Sequence, residues 1–150
     1  MLKIVRTDSN NIDFVNLVKD LDRYLKTTDG DEHDFYNQFN NIDVLKHVII
    51  AYIDSNPVGC GAFKTFNDNT IEIKRMYTKP EFRSQGIAGK ILQALEHWAN
   101  EIGYTFSILE TGKRQLEAVQ FYKKCDYKII SNYGQYTNMK NSLCFKKILS

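Results

Sequence analysis

The stretch from Ile71 to Ile91 constrains this chain most, because its hydrophobic pattern changes period across one short turn. Apolar and polar residues alternate from Ile71 to Lys74, which is the period of a β-strand. Pro80 closes the strand, and an apolar stripe at helical spacing begins at Ile87. A strand, a glycine-containing turn and a helix in this order predict a binding site at the helix N-terminus.

The turn from Arg83 to Lys90 has the composition of an anion cradle. The first N–H groups of a helix have no intrahelical partner, and the helix dipole places partial positive charge beside them. Gly86 and Ala88 keep side chains away, so a pyrophosphate can touch the backbone, and Arg83 adds a positive charge at the rim. Without the rest of the chain, a structural turn with no ligand would be the simpler interpretation.

The remaining elements follow from periodicity and turn residues. Strands are predicted at residues 3–7, 47–54, 58–66, from 71 onward, and at 106–110, 127–130 and 142–148, and helices at 12–26, within 31–40, at 87–102 and at 115–124. The polar stretch 131–141 is predicted to be a loop. Gly59 and Gly61, inside a strand, indicate close approach by another element. The hairpins imply antiparallel pairing and the central strand–helix–strand step implies a parallel pair, so we predict one mixed α/β domain over residues 1–150.

The bulk composition excludes several classes of function. A net charge of +2 is too small to indicate nucleic acid as the main partner, and no apolar run approaches transmembrane length, so no membrane partner is expected. Cys60, Cys125 and Cys144 are widely spaced and show no metal-ligand spacing. We therefore expect free thiols, a cytoplasmic protein and no bound metal.

Two motifs resemble those of the GNAT superfamily of N-acetyltransferases. Arg83, Gly86 and Ala88 match the acyl-CoA-binding pattern Arg/Gln-x-x-Gly-x-Gly/Ala. The segment 118–127, AVQFYKKCDY, is similar to the family's Ala-x-x-Leu/Phe-Tyr-x-Lys-x-Gly-Phe/Tyr. The order of predicted elements is also that of the GNAT fold. The resemblance implies a mostly antiparallel sheet with a splayed parallel pair, helices on both faces, and acetyl-CoA as co-substrate.

The resemblance also implies where acetyl-CoA is held. The backbone of Met76, Tyr77 and Thr78 would pair with the pantetheine arm, since a bulge can splay that strand end, and a free N–H there could polarise the thioester carbonyl. Gln115 stands where the family often has Asn, and its longer amide can contact the same molecule. The predicted donor-binding residues are Met76, Tyr77, Thr78, Arg83, Ser84, Gln85, Gly86, Ile87, Ala88, Gly89, Lys90 and Gln115.

Tyr122 matches the family's helix tyrosine, which lies near the thioester sulfur. A phenol of pKa about 10 and a thiolate of about 8.5 differ by roughly 2 kcal/mol, much of which a positioned hydrogen bond can offset as the thiolate leaves. We predict Tyr122 as the general acid; a half-buried core tyrosine is the alternative. Asp126 replaces the family's usual Gly after this helix, and we expect it to adopt the left-handed conformation of that turn.

The amine must lose a proton, and Glu72 on the central strand is the first candidate for the general base, acting directly or through water. Alternation places Glu72 on the same face as Lys74 and, before any bulge, Met76. The alternative is a surface carboxylate paired with a lysine. Glu110, at the end of the next strand, is the second candidate.

The acidic segment containing Asp31, Glu32 and His33 lies where the family usually builds its acceptor groove, and it could attract a cationic amine. A solvated helix start is the alternative. Cys60, Cys125 and Cys144 have no neighbouring histidine in sequence, which favours direct transfer in a ternary complex over a covalent acyl-enzyme.

The resulting prediction is an N-acetyltransferase that acts on a primary amine of a small molecule or a peptide. A non-catalytic acyl-CoA-binding module and a protein N-terminal or lysine acetyltransferase remain alternatives. The sequence does not identify the amine. Late strands in such folds often mediate dimers, so a homodimer stays open.

Overall fold

The computed structural model describes residues 1–29 and 45–149, and the helix predicted within 31–40 lies outside them. Seven strands form one sheet: β1 (Leu2–Thr7), β2 (His47–Ile53), β3 (Asn56–Asn67), β4 (Thr70–Thr78), β5 (Phe106–Gly112), β6 (Lys128–Ile130) and β7 (Ser142–Ile148). The described α-helices are α1 (Ile12–Asp29), α2 (Ile87–Glu101) and α3 (Leu116–Lys124), with short 3-10 turns at Pro80–Phe82 and Gly134–Tyr136. None of these helices is long and apolar enough to cross a lipid bilayer.

The strands follow the order β1-β2-β3-β4-β5-β7-β6 across the sheet. β4 and β5 run parallel, and every other neighbouring pair is antiparallel. This confirms the predicted mixed, mostly antiparallel class. Residues 70–72 of β4 pair with residues 106–108 of β5, and the ladder stops there. Because β4 continues to Thr78 and β5 to Gly112, the two strands part and the sheet opens between them.

α1 covers one face of the sheet. Asn11 begins the helix, since its Oδ1 accepts hydrogen bonds from the backbone N–H groups of Asp13 (2.8 Å) and Phe14 (3.4 Å), as an N-cap residue does. Apolar residues then recur on the side that faces the sheet. The buried core on this side contains Phe14, Leu17, Val18, Leu21, Leu45, Val48, Ile50, Cys60, Ala62 and Tyr77.

α2 and α3 cover the opposite face, and α2 lies close to β3. A Cβ atom at Gly61 would lie 2.5 Å from Met76 Sδ and 2.9 Å from Leu95 Cδ1, and one at Gly59 would lie 3.0 Å from Ile91 Cδ1. The close approach predicted from the two glycines is confirmed, and α2 is the approaching helix. The buried core here includes Ile49, Phe63, Ile71, Ile73, Ile91, Leu92, Leu95, Leu109, Val119, Tyr122 and Phe145.

β4 contains a bulge at Arg75, where φ is 59° and the register with β3 shifts. The extra residue changes the alternation of side chains beyond this point. Arg75 Nη1 reaches Asp22 Oδ1 of α1 (2.7 Å), whereas Met76 packs into the core beneath α2. Alternation predicted that Glu72 and Met76 share one face of the sheet. Because of the bulge, Met76 lies on the opposite face from Glu72.

Candidate active site

The cleft opened by β4 and β5 continues between α2 and α3. We call its inner part, about 130 Å³, the chamber. The outer part, about 430 Å³, is the groove. The chamber is lined by Leu21, Leu25, Ile73, Lys74, Arg75, Met76, Leu109, Glu110, Thr111, Gly112, Gln115, Ala118 and Tyr122. Leu21, Met76, Gln115, Ala118 and Tyr122 also line the groove, so the two spaces are continuous.

The N-terminus of α2 opens into the groove without a side-chain cap. Gly86 is the N-cap residue, with φ of 80°, and its carbonyl accepts the first helical hydrogen bond from Lys90 N (3.2 Å). The N–H groups of residues 87–89 therefore have no partner within the helix. The first turn contains no acidic residue, and a Cβ at Gly86 or Gly89 would meet no described atom within 4 Å. Backbone donors of this kind can bind an anion.

Arg83 is held at the rim of the groove. Its Nε donates to Thr78 O (2.9 Å), and its guanidinium lies over the rings of Tyr24 (5.2 Å) and Tyr77 (5.9 Å). Each stacked contact of this kind is worth about 0.5–1 kcal/mol at an exposed site. The positive charge is thereby placed beside the α2 N-terminus without closing it.

The groove brings most of the predicted donor-binding residues together. Its lining includes Met76, Tyr77, Thr78, Arg83, Ser84, Gly86, Ile87, Ala88, Gly89 and Gln115. Gln85 and Lys90 are exposed and do not line it; Gln85 Nε2 instead lies 3.4 Å from Glu81 O. The lining also contains Leu21 and Tyr24 of α1, which the sequence predicted only as part of a helix over residues 12–26.

Tyr122 lies at the junction of chamber and groove. Its ring packs against Phe121, Tyr127 and Phe145, and among the described residues its hydroxyl has no hydrogen-bond partner. Burial raises the pKa of Tyr122 well above the usual range, and the neighbouring Cys125 and Glu110 add to the rise, so the phenol stays protonated at neutral pH. The gap to a leaving thiolate is therefore wider than ordinary pKa values suggest. α3 ends as predicted, with Asp126 at φ of 71°.

Glu72 is buried one strand position away from the chamber rather than in its lining. Its Oε2 accepts a hydrogen bond from Tyr133 OH (2.6 Å), and the ammonium groups of Lys64 and Lys74 lie 3.9 Å from its two oxygens. Glu110 does line the chamber, and its Oε2 accepts from Ser142 Oγ (2.8 Å). Of the two candidate bases, Glu110 has the direct access to the cleft.

The segment between β6 and β7 forms a wall beside these carboxylates. Asn132 Nδ2 lies 3.1–3.2 Å from the carbonyls of Tyr136, Met139 and Ser142, which holds the segment in shape. It places Tyr133 against Glu72 and Tyr136 OH 3.4 Å from Lys74 Nζ. The sequence indicated only a polar loop here, because these contacts join residues far apart in the chain.

The three cysteines lie outside the lining of the cleft. Burial raises the pKa of Cys60 to about 12 and that of Cys144 to about 11, and it also raises the pKa of Cys125. Thiols that stay protonated are poor nucleophiles. Within residues 1–29 and 45–149, no three His, Cys, Asp or Glu side chains are grouped as metal ligands would be.

The predicted acceptor-binding residues Asp31, Glu32 and His33 lie outside the described residues. The described lining of the chamber comes from α1, β4, β5, Gln115 and α3.

Comparison with known proteins agrees with this architecture. The sequence model of the acetyltransferase (GNAT) family matches residues 14–127. The chain is 29% identical over 140 residues to an IAA acetyltransferase of Azospirillum brasilense, covering 90% of each protein. A Klebsiella pneumoniae protein assigned to the acyl-CoA N-acyltransferases superposes with a TM-score of 0.84 at 25% identity, covering 100% of this chain and 99% of that one. The PaiA N-acetyltransferase of Thermoplasma acidophilum, solved with coenzyme A, gives 0.74 at 18% identity over 99% of both chains.

Proposed function

Since this chain belongs to the acetyltransferase (GNAT) family and is an enzyme of that class, we propose that it transfers an acetyl group from acetyl-CoA to a primary amine within a ternary complex. The observation that carries the proposal is the uncapped N-terminus of α2, which opens into a groove leading to Tyr122. With its pyrophosphate bound at one end of this groove, acetyl-CoA would place its pantetheine arm along the groove toward the chamber.

The groove fits the chemistry of the donor. The free N–H groups of residues 87–89 and the guanidinium of Arg83 would bind the pyrophosphate. The edge of β4 that faces β5 has no ladder partner beyond Glu72, so the backbone from Met76 to Thr78 would pair with the amides of the pantetheine arm. Gln115, which lines both parts of the cleft, would contact the same arm near its thioester end.

Tyr122 would assist departure of the thiolate. When the amine attacks the thioester carbonyl, the C–S bond breaks and negative charge develops on sulfur. A protonated phenol at the junction of chamber and groove can donate a hydrogen bond to that sulfur and then its proton, and the proton lost by the amine would return to the phenolate through solvent. We propose that this hydrogen bond strengthens as the sulfur becomes anionic, because negative charge makes the sulfur a better acceptor, while burial keeps the phenol protonated.

Glu110 would accept the proton that the amine loses. Its carboxylate lines the chamber, and Ser142 Oγ orients one of its oxygens (2.8 Å). Glu72, the first candidate from sequence, would act through a water, since it does not line the chamber itself and its Oε2 already accepts a hydrogen bond from Tyr133. Direct transfer is supported by the cysteines, which lie outside the cleft lining and have raised pKa values. Free Cys60, Cys125 and Cys144 also fit the reducing cytoplasm where we place the enzyme.

The test is incubation with acetyl-CoA and a panel of primary amines, with free CoA and N-acetylated products separated by chromatography. We expect one molecule of acetyl-CoA to be consumed for each molecule of N-acetylated amine formed. Tight binding of acetyl-CoA without turnover of any amine would instead identify an acyl-CoA-binding module. Product on peptide N-termini or lysines alone would identify a protein acetyltransferase.

A further inference from the structure

The amino group of Lys74 lies at the chamber, and its contacts with neighbouring polar groups are long. The residue is 8% exposed and lines the chamber. Its Nζ lies 3.4 Å from Tyr136 OH and 3.9 Å from Glu72 Oε2, the second distance being too long for a hydrogen bond. An ammonium has three N–H donors, so its hydrogen-bonding capacity is not filled by the described residues.

The carboxylate of Glu72, which lies beside Lys74, also interacts with two other residues. Glu72 Oε2 accepts the short hydrogen bond from Tyr133 OH (2.6 Å), and Glu72 Oε1 lies 3.9 Å from Lys64 Nζ. Burial lowers the pKa of Lys74, and the charges of Glu72 and Glu110 oppose that shift without abolishing it. A further anion beside Lys74 would complete its coordination and favour its charged form.

The chamber also contains a separate negative group. Glu110 lines it together with Lys74, whereas Arg75 in the same lining has its Nη1 paired with Asp22 Oδ1 (2.7 Å). One wall thus presents an ammonium whose hydrogen bonds are not all filled by described residues, and the other wall presents a carboxylate. An acceptor with both charges matches this pair better than a simple amine does.

We propose that the acceptor carries a carboxylate close to its amine, as an amino acid does, and that Lys74 binds this carboxylate while the amine faces Glu110. This inference rests on the proposed acetyl transfer and deepens it by naming the acceptor class. Lys74 is then a specificity-determining residue, which acts on recognition of the acceptor rather than on the departure of CoA.

The experiment compares matched acceptors that differ only in the carboxylate. Each of several L-amino acids is assayed beside its amide and its decarboxylated amine, with saturating acetyl-CoA. We expect kcat/KM to be at least about tenfold higher for a preferred amino acid than for its amide, the size of one charge-assisted hydrogen bond. In Lys74→Met this preference should disappear because kcat/KM for the amino acid falls, while kcat/KM for the amide changes less than about threefold.

Lys64→Met is the matched control, because Lys64 lies at the same 3.9 Å from Glu72 but does not line the chamber. It should keep the preference, and Lys74→Arg should restore most of it. Melting temperature and acetyl-CoA affinity, measured for each variant, separate misfolding from lost recognition. Equal turnover of acids and amides by the wild type, or an equal loss for both in Lys74→Met, would overturn the inference and leave acetyl transfer standing. Failure to acetylate any acceptor would overturn the proposed function itself.

Discussion

Under the proposed function, the two halves of the cleft, a donor half (the groove) and an acceptor half (the chamber), would recognise their ligands by different means. The groove offers backbone N–H groups, bared by Gly86 and Gly89 and framed by Arg83. The acceptor side offers buried side chains, with Lys74 and Glu110 in the lining of the chamber. Backbone recognition needs only a local conformation, whereas side-chain recognition needs several strands in register. The chamber would then select the amine through its side chains, while the groove would bind the donor through its backbone.

The largest effect is expected from breaking the donor half with Gly86→Asp. The carboxylate would stand among the free N–H groups of α2 and repel a pyrophosphate, so we expect acetyl-CoA affinity to fall on the order of a thousandfold by calorimetry. Gly103→Asp is the matched control, because Gly103 also has positive φ (106°) and lies just beyond the other end of α2. An affinity equal in the two variants would show that the groove does not hold the donor through this turn.

Tyr122→Phe tests the junction between the two halves. We expect kcat to fall about a hundredfold while the dissociation constant of acetyl-CoA stays within about twofold, because the hydroxyl acts only as the sulfur becomes anionic. Tyr127→Phe provides the comparison, since the Tyr127 hydroxyl pairs with Ser107 Oγ (2.8 Å) outside the cleft lining. A Tyr122→Phe enzyme with unaltered kcat would remove Tyr122 as the acid.

Glu110→Gln and Glu72→Gln distinguish the two candidate bases. We expect Glu110→Gln to lower kcat/KM roughly tenfold and to alter the acidic limb of the profile of kcat/KM against pH. The loss stays moderate because water can accept part of the amine's protons in place of Glu110. Glu72→Gln keeps an acceptor for Tyr133 OH and should retain the limb. The reverse pattern in the two profiles would return the role of base to Glu72.

Tyr133→Phe should have the smallest effect on turnover, under about tenfold, and a distinct effect on stability. Burial and the nearby Glu72 raise the pKa of Tyr133 above its ordinary 10.0. Above pH 10 the unfolded chain loses this proton while the folded chain keeps it, so stability falls as the pH rises. In the wild type, this group lowers the free energy of unfolding by up to about 1.4 kcal/mol per pH unit above pH 10, and Tyr133→Phe should abolish that contribution. Urea unfolding between pH 8 and 11 measures it, and an identical slope in both proteins would contradict the buried position of the phenol.

Most of the fold could be predicted because its signals are local. The order of elements, the left-handed turn at Asp126 and the open N-terminus of α2 each depend on a few neighbouring residues. The glycines of β3 predicted a close approach but could not name the helix that approaches. The bulge at Arg75 was the point where alternation failed, since one inserted residue changes every later face.

The sequence by itself determined a strand, a bare turn and a helix that together can hold an anion, because periodicity and backbone conformation are properties of adjacent residues. Only the tertiary structure decided the acceptor side. Tyr133 meets Glu72 across 61 residues and Tyr136 meets Lys74 across 62, and the parting of β4 from β5 decides that Glu110 rather than Glu72 lines the chamber. Such contacts are set by the packing of distant strands and leave no periodic trace in the chain.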